Sequence, residues 1–138
     1  MVTLNPYLSF KNTARPAMEF YHSVFGGELT TSTFAASGAP VGKGEEELLM
    51  HSQITVNGTP FLMAADTPQH MTFVPAAGIS ISLSGGQVDD ASLRDYWAKL
   101  SASGRVLQPL EKAPWGDVFG MCVDGYGITW MVNILAAG

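Results

Sequence analysis

A chain of 138 residues with 46% apolar and 14% charged residues can bury roughly two thirds of its unfolded surface as one domain, and its composition excludes disorder. A net charge of −5, with no basic stripe to neutralise phosphates, argues against nucleic acid as a partner. The single cysteine, Cys122, excludes an intrachain disulfide and fits a reducing compartment. No apolar run could span a bilayer and the first residues lack a signal-peptide pattern, so a cytoplasmic protein is expected.

Leu4, Pro6, Leu8 and Phe10 alternate with Asn5, Tyr7 and Ser9, which predicts a strand with one apolar face, placed at an edge by Pro6. Asn12 or Thr13 can cap a helix whose first turn holds Pro16; Ala17, Phe20, Tyr21 and Val24 recur at helical spacing until Gly26-Gly27. Glu28 to Phe34 is β-rich. Residues 35–47 read as a loop ending in Glu45-Glu46-Glu47, a solvated acidic cluster rather than a metal site.

Leu49 to Ala65 reads as a hairpin around Asn57-Gly58. A two-residue turn there pairs Val56 with Thr59, Gln53 with Leu62 and His51 with Ala64. His51, Gln53 and Leu62 then share a face turned toward whatever the sheet encloses. Met50, Ser52, Ile54, Phe61, Met63 and Ala65 would pack under the helix. Residues 66–77, with Pro68 and Pro75, connect two halves.

Gly78 to Ser84 alternates Ile79, Ile81 and Leu83 with serines, a half-buried strand. Asp89-Asp90 opens a second helix with Leu93, Tyr96, Trp97 and Leu100 as its stripe, ended by Gly104. Arg105 to Leu110 is a short strand. A last hairpin runs from Trp115 to Asn133 about Asp124-Gly125-Tyr126-Gly127. The order strand, helix, strand, strand, strand thus occurs twice, at about residues 4–66 and 78–134. It predicts an α+β single domain over residues 1–138: two tandem βαβββ modules forming a cupped mixed sheet around a cavity. A plait without a cavity is the alternative.

Within this repeat, Pro6-Tyr7-Leu8-Ser9-Phe10, Phe25-Gly26-Gly27, Met50-His51, Trp115-Gly116 with Phe119-Gly120, and the run from Asp124 to Asn133 resemble the PhnB-like branch of the vicinal oxygen chelate superfamily. This superfamily groups glyoxalases, bleomycin-resistance proteins and dioxygenases. The resemblance covers nearly the whole chain and implies a small-molecule cavity and a homodimer. Members of this branch often carry the label 3-demethylubiquinone 3-methyltransferase-like. No glycine-rich strand-to-helix turn followed by an acidic residue supports a nucleotide-type cofactor, so methyl transfer is not expected.

By strand position, the superfamily's metal ligands would fall here on Asn5 (or Pro6), Leu62, Ser80 and Met131. These are poor or impossible ligands for divalent cations, so no metal and no other cofactor is expected. A composite site of His51, Asp66 and His70 is a lesser alternative. His51 is the candidate acid–base residue, with an unperturbed pKa in the useful range, or else an ordinary strand residue. Tyr7, Gln53, Leu62, Ser80, Phe119, Met121 and Met131 are the candidate ligand-binding residues, Trp130 is core, and the facing of Phe119 and Met121 stays open because Gly116 and Gly120 can break the strand. The expectation is a metal-independent small-molecule-binding protein. A lyase or isomerase acting on a small oxygenated metabolite through His51 is the alternative.

Overall fold

A computed structural model describes residues 2–138 and divides the chain into two compact units, Met1–Ala76 and Ala77–Gly138. The first contains β1 (Tyr7–Phe10), α1 (Ala14–Phe25), β2 (Glu28–Thr33), a one-turn α2 (Phe34–Ser37), β3 (Leu49–Val56) and β4 (Thr59–Asp66). The second contains β5 (Ile81–Gly85), α3 (Asp90–Ala102), β6 (Arg105–Lys112), β7 (Val118–Val123) and β8 (Thr129–Ile134). Their sheets have the same topology, β1-β4-β3-β2 and β5-β8-β7-β6, each with its first and last strands paired in parallel. The duplication read from the sequence is therefore real at the level of strand order. Among the described residues no helix is long and apolar enough to cross a membrane.

In the first unit α1 packs its buried stripe of Ala14, Ala17, Met18, Tyr21 and Val24 on one sheet face. That face presents Leu8, Phe10, Ser52, Ile54, Leu62 and Ala64, all buried. Leu4 does not join it. It is almost fully exposed, and the strand starts only at Tyr7. Neither Asn12 nor Thr13 caps α1 with its side chain. The free N–H of Ala14 is instead met from 52 residues away by Asp66 Oδ1 at 3.0 Å, while Asp66 Oδ2 accepts the N–H of Leu49 at 2.9 Å. A buried carboxylate thus joins the helix start to the end of β4, where the helix dipole favours negative charge.

The first hairpin turns at Asn57-Gly58, both with positive φ, and Val56 pairs with Thr59 as expected. Pairing then slips: Thr55 opposes Pro60, but Ile54 opposes Leu62. Pro60 has no N–H to give the ladder, and a bulge absorbs Phe61, whose ring packs on Phe25 of α1 at 5.1 Å. Every residue beyond the bulge changes face. Leu62 and Ala64 go under the helix, and Met63 and Ala65 take the opposite side with Gln53. A second irregularity, between Ser32 and Thr33, skips Met50, which joins the helix-free face.

In the second unit Leu93 of α3 meets Val132 and Ile134, with Tyr96, Trp97, Leu83 and Leu110 packed around them. Strand β7 runs unbroken through Gly120 in register with β8, which settles the facing of Phe119 and Met121 that the sequence left open. Gly120 is glycine for another reason: a Cβ there would lie 2.9 Å from the Trp97 ring. The turn after β7 is organised by Asp124. Its Oδ1 accepts the N–H groups of Tyr126 and Ile128, and its Oδ2 accepts the indole N–H of Trp130 at 2.8 Å. Trp130 is core, at 1% exposure.

Candidate functional site

The helix-free face of the first sheet carries Tyr7, Ser9, Met63, Ala65, His51 and Gln53 in alternation with the buried set. Over part of it lies a cavity of about 410 Å³. Its floor is Tyr7, Ser9, Met50 and Ala65. One wall is Phe34 of α2 with Ala39 and Pro40 of the loop that follows; the other is the segment after β4, Asp66, Thr67, Pro68, His70 and Met71. The lining is mainly apolar, the usual form of a small-molecule site. Both Asp66 oxygens are already held by backbone N–H groups.

At the edge of this floor the phenol oxygen of Tyr7 lies 3.0 Å from Nδ1 of His51. Partial burial pushes the Tyr7 phenol up from its ordinary value, so it stays protonated at neutral pH. A neutral imidazole and a phenol hold two acidic hydrogens between them, and their mutual bond uses one. Whichever tautomer forms, one donor remains for a ligand oxygen.

The other predicted residues are placed less simply. Gln53 donates its amide to Thr55 Oγ1 at 3.0 Å and does not line the cavity. Leu62 is a correction: at 1% exposure it belongs to the core under α1, carried there by the Phe61 bulge. Ser80, expected inside a strand from Gly78 to Ser84, is exposed and precedes β5, which starts only at Ile81. Met121 pairs with Met131 and Phe119 with Asn133 on the helix-free face of the second sheet, half-buried.

Phe119 also lines a smaller hollow of about 240 Å³ within the second unit, with Trp115, Gln108, Glu111 and Lys112. Trp115 is 63% exposed and meets Phe119 at 5.8 Å. The turn carrying Trp115 is held by Asp117, which accepts the N–H of Ala136 and the amide of Asn133. Those two bonds hold the Asp117 carboxyl below its ordinary range.

Sequence reasoning missed Ser9, Phe34, Met50, Pro68 and Met71. The walls are irregular segments whose side chains have no periodicity to read. It also misjudged Glu45, expected to be solvated but buried at 5% exposure. The Glu45 carboxylate accepts the N–H groups of Gly42 and Gln69.

A family model described as 3-demethylubiquinone-9 3-methyltransferase matches residues 3–133. The chain belongs to that family. The structure of protein PA1353 from Pseudomonas aeruginosa is similar to it with a TM-score of 0.83 and 29% identity, covering 99% of this chain and 100% of that one. The PhnB protein of Bacillus cereus follows at a TM-score of 0.74 and 26% identity, over 97% and 100% of the two chains. A member of the glyoxalase/bleomycin resistance protein/dioxygenase superfamily from Sphaerobacter thermophilus has a TM-score of 0.60 at 14% identity, over 98% of each chain. That likeness shows the fold alone. The fold of this 3-demethylubiquinone-9 3-methyltransferase family chain is therefore the glyoxalase/bleomycin-resistance fold, in its PhnB-like form.

The wider superfamily's metal positions do not fit a metal in this family member. Asn5 spends its amide on the carbonyl of Pro60, Leu62 is apolar and buried, Ser80 is off the strand, and Met131 offers only a thioether. The composite of His51, Asp66 and His70 fares no better. Both Asp66 oxygens are already bonded to backbone N–H groups, and His51 Nδ1 is bonded to Tyr7.

Proposed function

We propose that the protein binds a neutral, largely apolar small molecule bearing a hydrogen-bond-accepting oxygen, without a metal, in the cavity of its first unit. The observation that carries this reading is the 410 Å³ apolar cavity with the Tyr7–His51 pair at its edge. An apolar ligand of that size would be desolvated by Phe34, Met50, Pro68 and Met71. The spare donor of the pair would orient it. No lining residue is lysine or arginine, which disfavours an anionic ligand.

Titration with N-phenyl-1-naphthylamine, a neutral probe whose fluorescence rises in apolar surroundings, tests this. The parent protein should bind it, and Ala65→Trp, which fills the floor, should weaken binding by at least about tenfold. Equal binding by both proteins would refute the assignment of the cavity. Native mass spectrometry of freshly purified protein would identify any ligand already carried. The proposal extends to a homodimer in the cytoplasm. Val106 and Leu107, exposed on the edge strand β6, support a partner surface, and light scattering checks it.

The Tyr7–His51 bond favours one further reading, a lyase or isomerase in which His51 moves a proton on a small oxygenated metabolite. His51→Ala would then abolish turnover while leaving probe binding within a few-fold of the parent. Turnover unaffected by that substitution would remove His51 from the chemistry.

A further inference from the structure

Two irregular segments wall the cavity, and one carboxylate joins them. Glu45 lies between α2 and β3, and its side chain is buried. Glu45 Oε1 accepts the N–H of Gly42 at 3.1 Å, within its own loop. Glu45 Oε2 accepts the N–H of Gln69 at 2.9 Å, 24 residues further on. The loop contributes Ala39 and Pro40 to one wall; the segment holding Gln69 contributes Pro68 and His70 to the other. Gly42 leaves room for this bond, since a Cβ there would come within 2.9 Å of Glu45 Oε1.

We propose that Glu45 is a positioning residue that sets the width of the cavity mouth and so the size of ligand admitted. The inference rests on the reading of this cavity as the ligand site. A charged acceptor between two amide donors holds both segments more tightly than neutral hydrogen bonds would. Removing it takes away the one acceptor these two partly buried donors share, so each can turn to water separately and the two segments lose their tie. Glu46, next in sequence, is exposed and its carboxylate accepts the N–H of Gly44 inside the same loop, so it serves as the control.

The test measures affinity for N-phenyl-1-naphthylamine and for the bulkier neutral dye Nile red in the full-length parent, Glu45→Ala, Glu45→Gln and Glu46→Ala. Amide hydrogen exchange at Gln69 is followed in each. The parent should favour the smaller dye. Glu45→Ala should shift the affinity ratio about tenfold toward Nile red and speed exchange at Gln69. Glu45→Gln, which keeps the shape and one acceptor oxygen, should shift both in the same direction by less, and it decides the matter if the alanine variant fails to fold. Glu46→Ala should leave the ratio unchanged. A parent that binds both dyes, with a ratio unmoved by either Glu45 substitution, overturns the role of Glu45 alone. A parent that binds neither dye overturns the cavity reading, and this role with it.

Discussion

Cys122 and Asp124 are two residues apart and fully or nearly fully buried, with opposite consequences for pH and mutation. Burial, then the nearby Asp124 carboxylate, pushes the Cys122 thiol up to about 11 from its ordinary 9.0. The folded protein should therefore resist a thiol reagent such as 5,5′-dithiobis-(2-nitrobenzoate) at pH 8 and react only once urea unfolds it. Because the folded chain holds this proton more tightly, the associated stability is fully present below about pH 9. It is lost as pH rises toward 11, where the unfolded chain has already released the proton. Urea melts between pH 8 and 11 on the parent and Cys122→Ala would show that slope and its disappearance. Asp124, in contrast, satisfies three donors at once. Asp124→Ala should cost about 3 kcal/mol or more, and Asp124→Asn roughly half of that, because one carbonyl oxygen remains. A loss below about 1 kcal/mol for the alanine variant would mean that water replaces the carboxylate at this turn.

Helices α1 and α3 each end close against a hairpin. A Cβ on Gly27 would collide with the carbonyl of Thr55, and one on Gly104 with the carbonyl of Val123. Gly27 also has φ +79°, which a side chain resists. Gly27→Ala and Gly104→Ala should each destabilise the protein by about 2–4 kcal/mol in urea titration, well beyond a surface substitution. These elements were the legible part of the chain. Asn57-Gly58 announced its turn, the helix-ending glycines their stops, and the Leu93 and Leu100 spacing its buried stripe. The register was less legible. Pro60 stood in the hairpin as a warning that one ladder bond was missing, yet alternation counted from the turn put Leu62 on the wrong side. The cavity walls were not legible at all. The positions of Pro40, Pro68 and Met71 depend on contacts such as Glu45 to Gln69, which no local pattern encodes.

For the molecule as a whole, the two units repeat one strand order with different sequences and different irregularities. Hydrogen exchange should find two protected blocks, near residues 49–66 and 118–134, where the central strands of each sheet lie. Gly27→Ala should raise exchange more in the first block, and Gly104→Ala more in the second. Exchange rising equally in both blocks for either variant would make the chain a single cooperative unit. The family assignment and the strand order were both recoverable from the sequence, because both rest on repeated local signals in a fixed order.

The parallel pairing of first and last strands within each unit bears on how the chain is made. Strand β1 can bond β4 only after everything between them has been synthesised, and Asp66 completes the start of α1 from 52 residues downstream. Such distant closures slow folding relative to hairpins, which need only neighbouring residues. On the ribosome the β3–β4 hairpin should therefore form before β1 docks. The first unit can then finish while the second is still being translated, because every strand its sheet needs is already out.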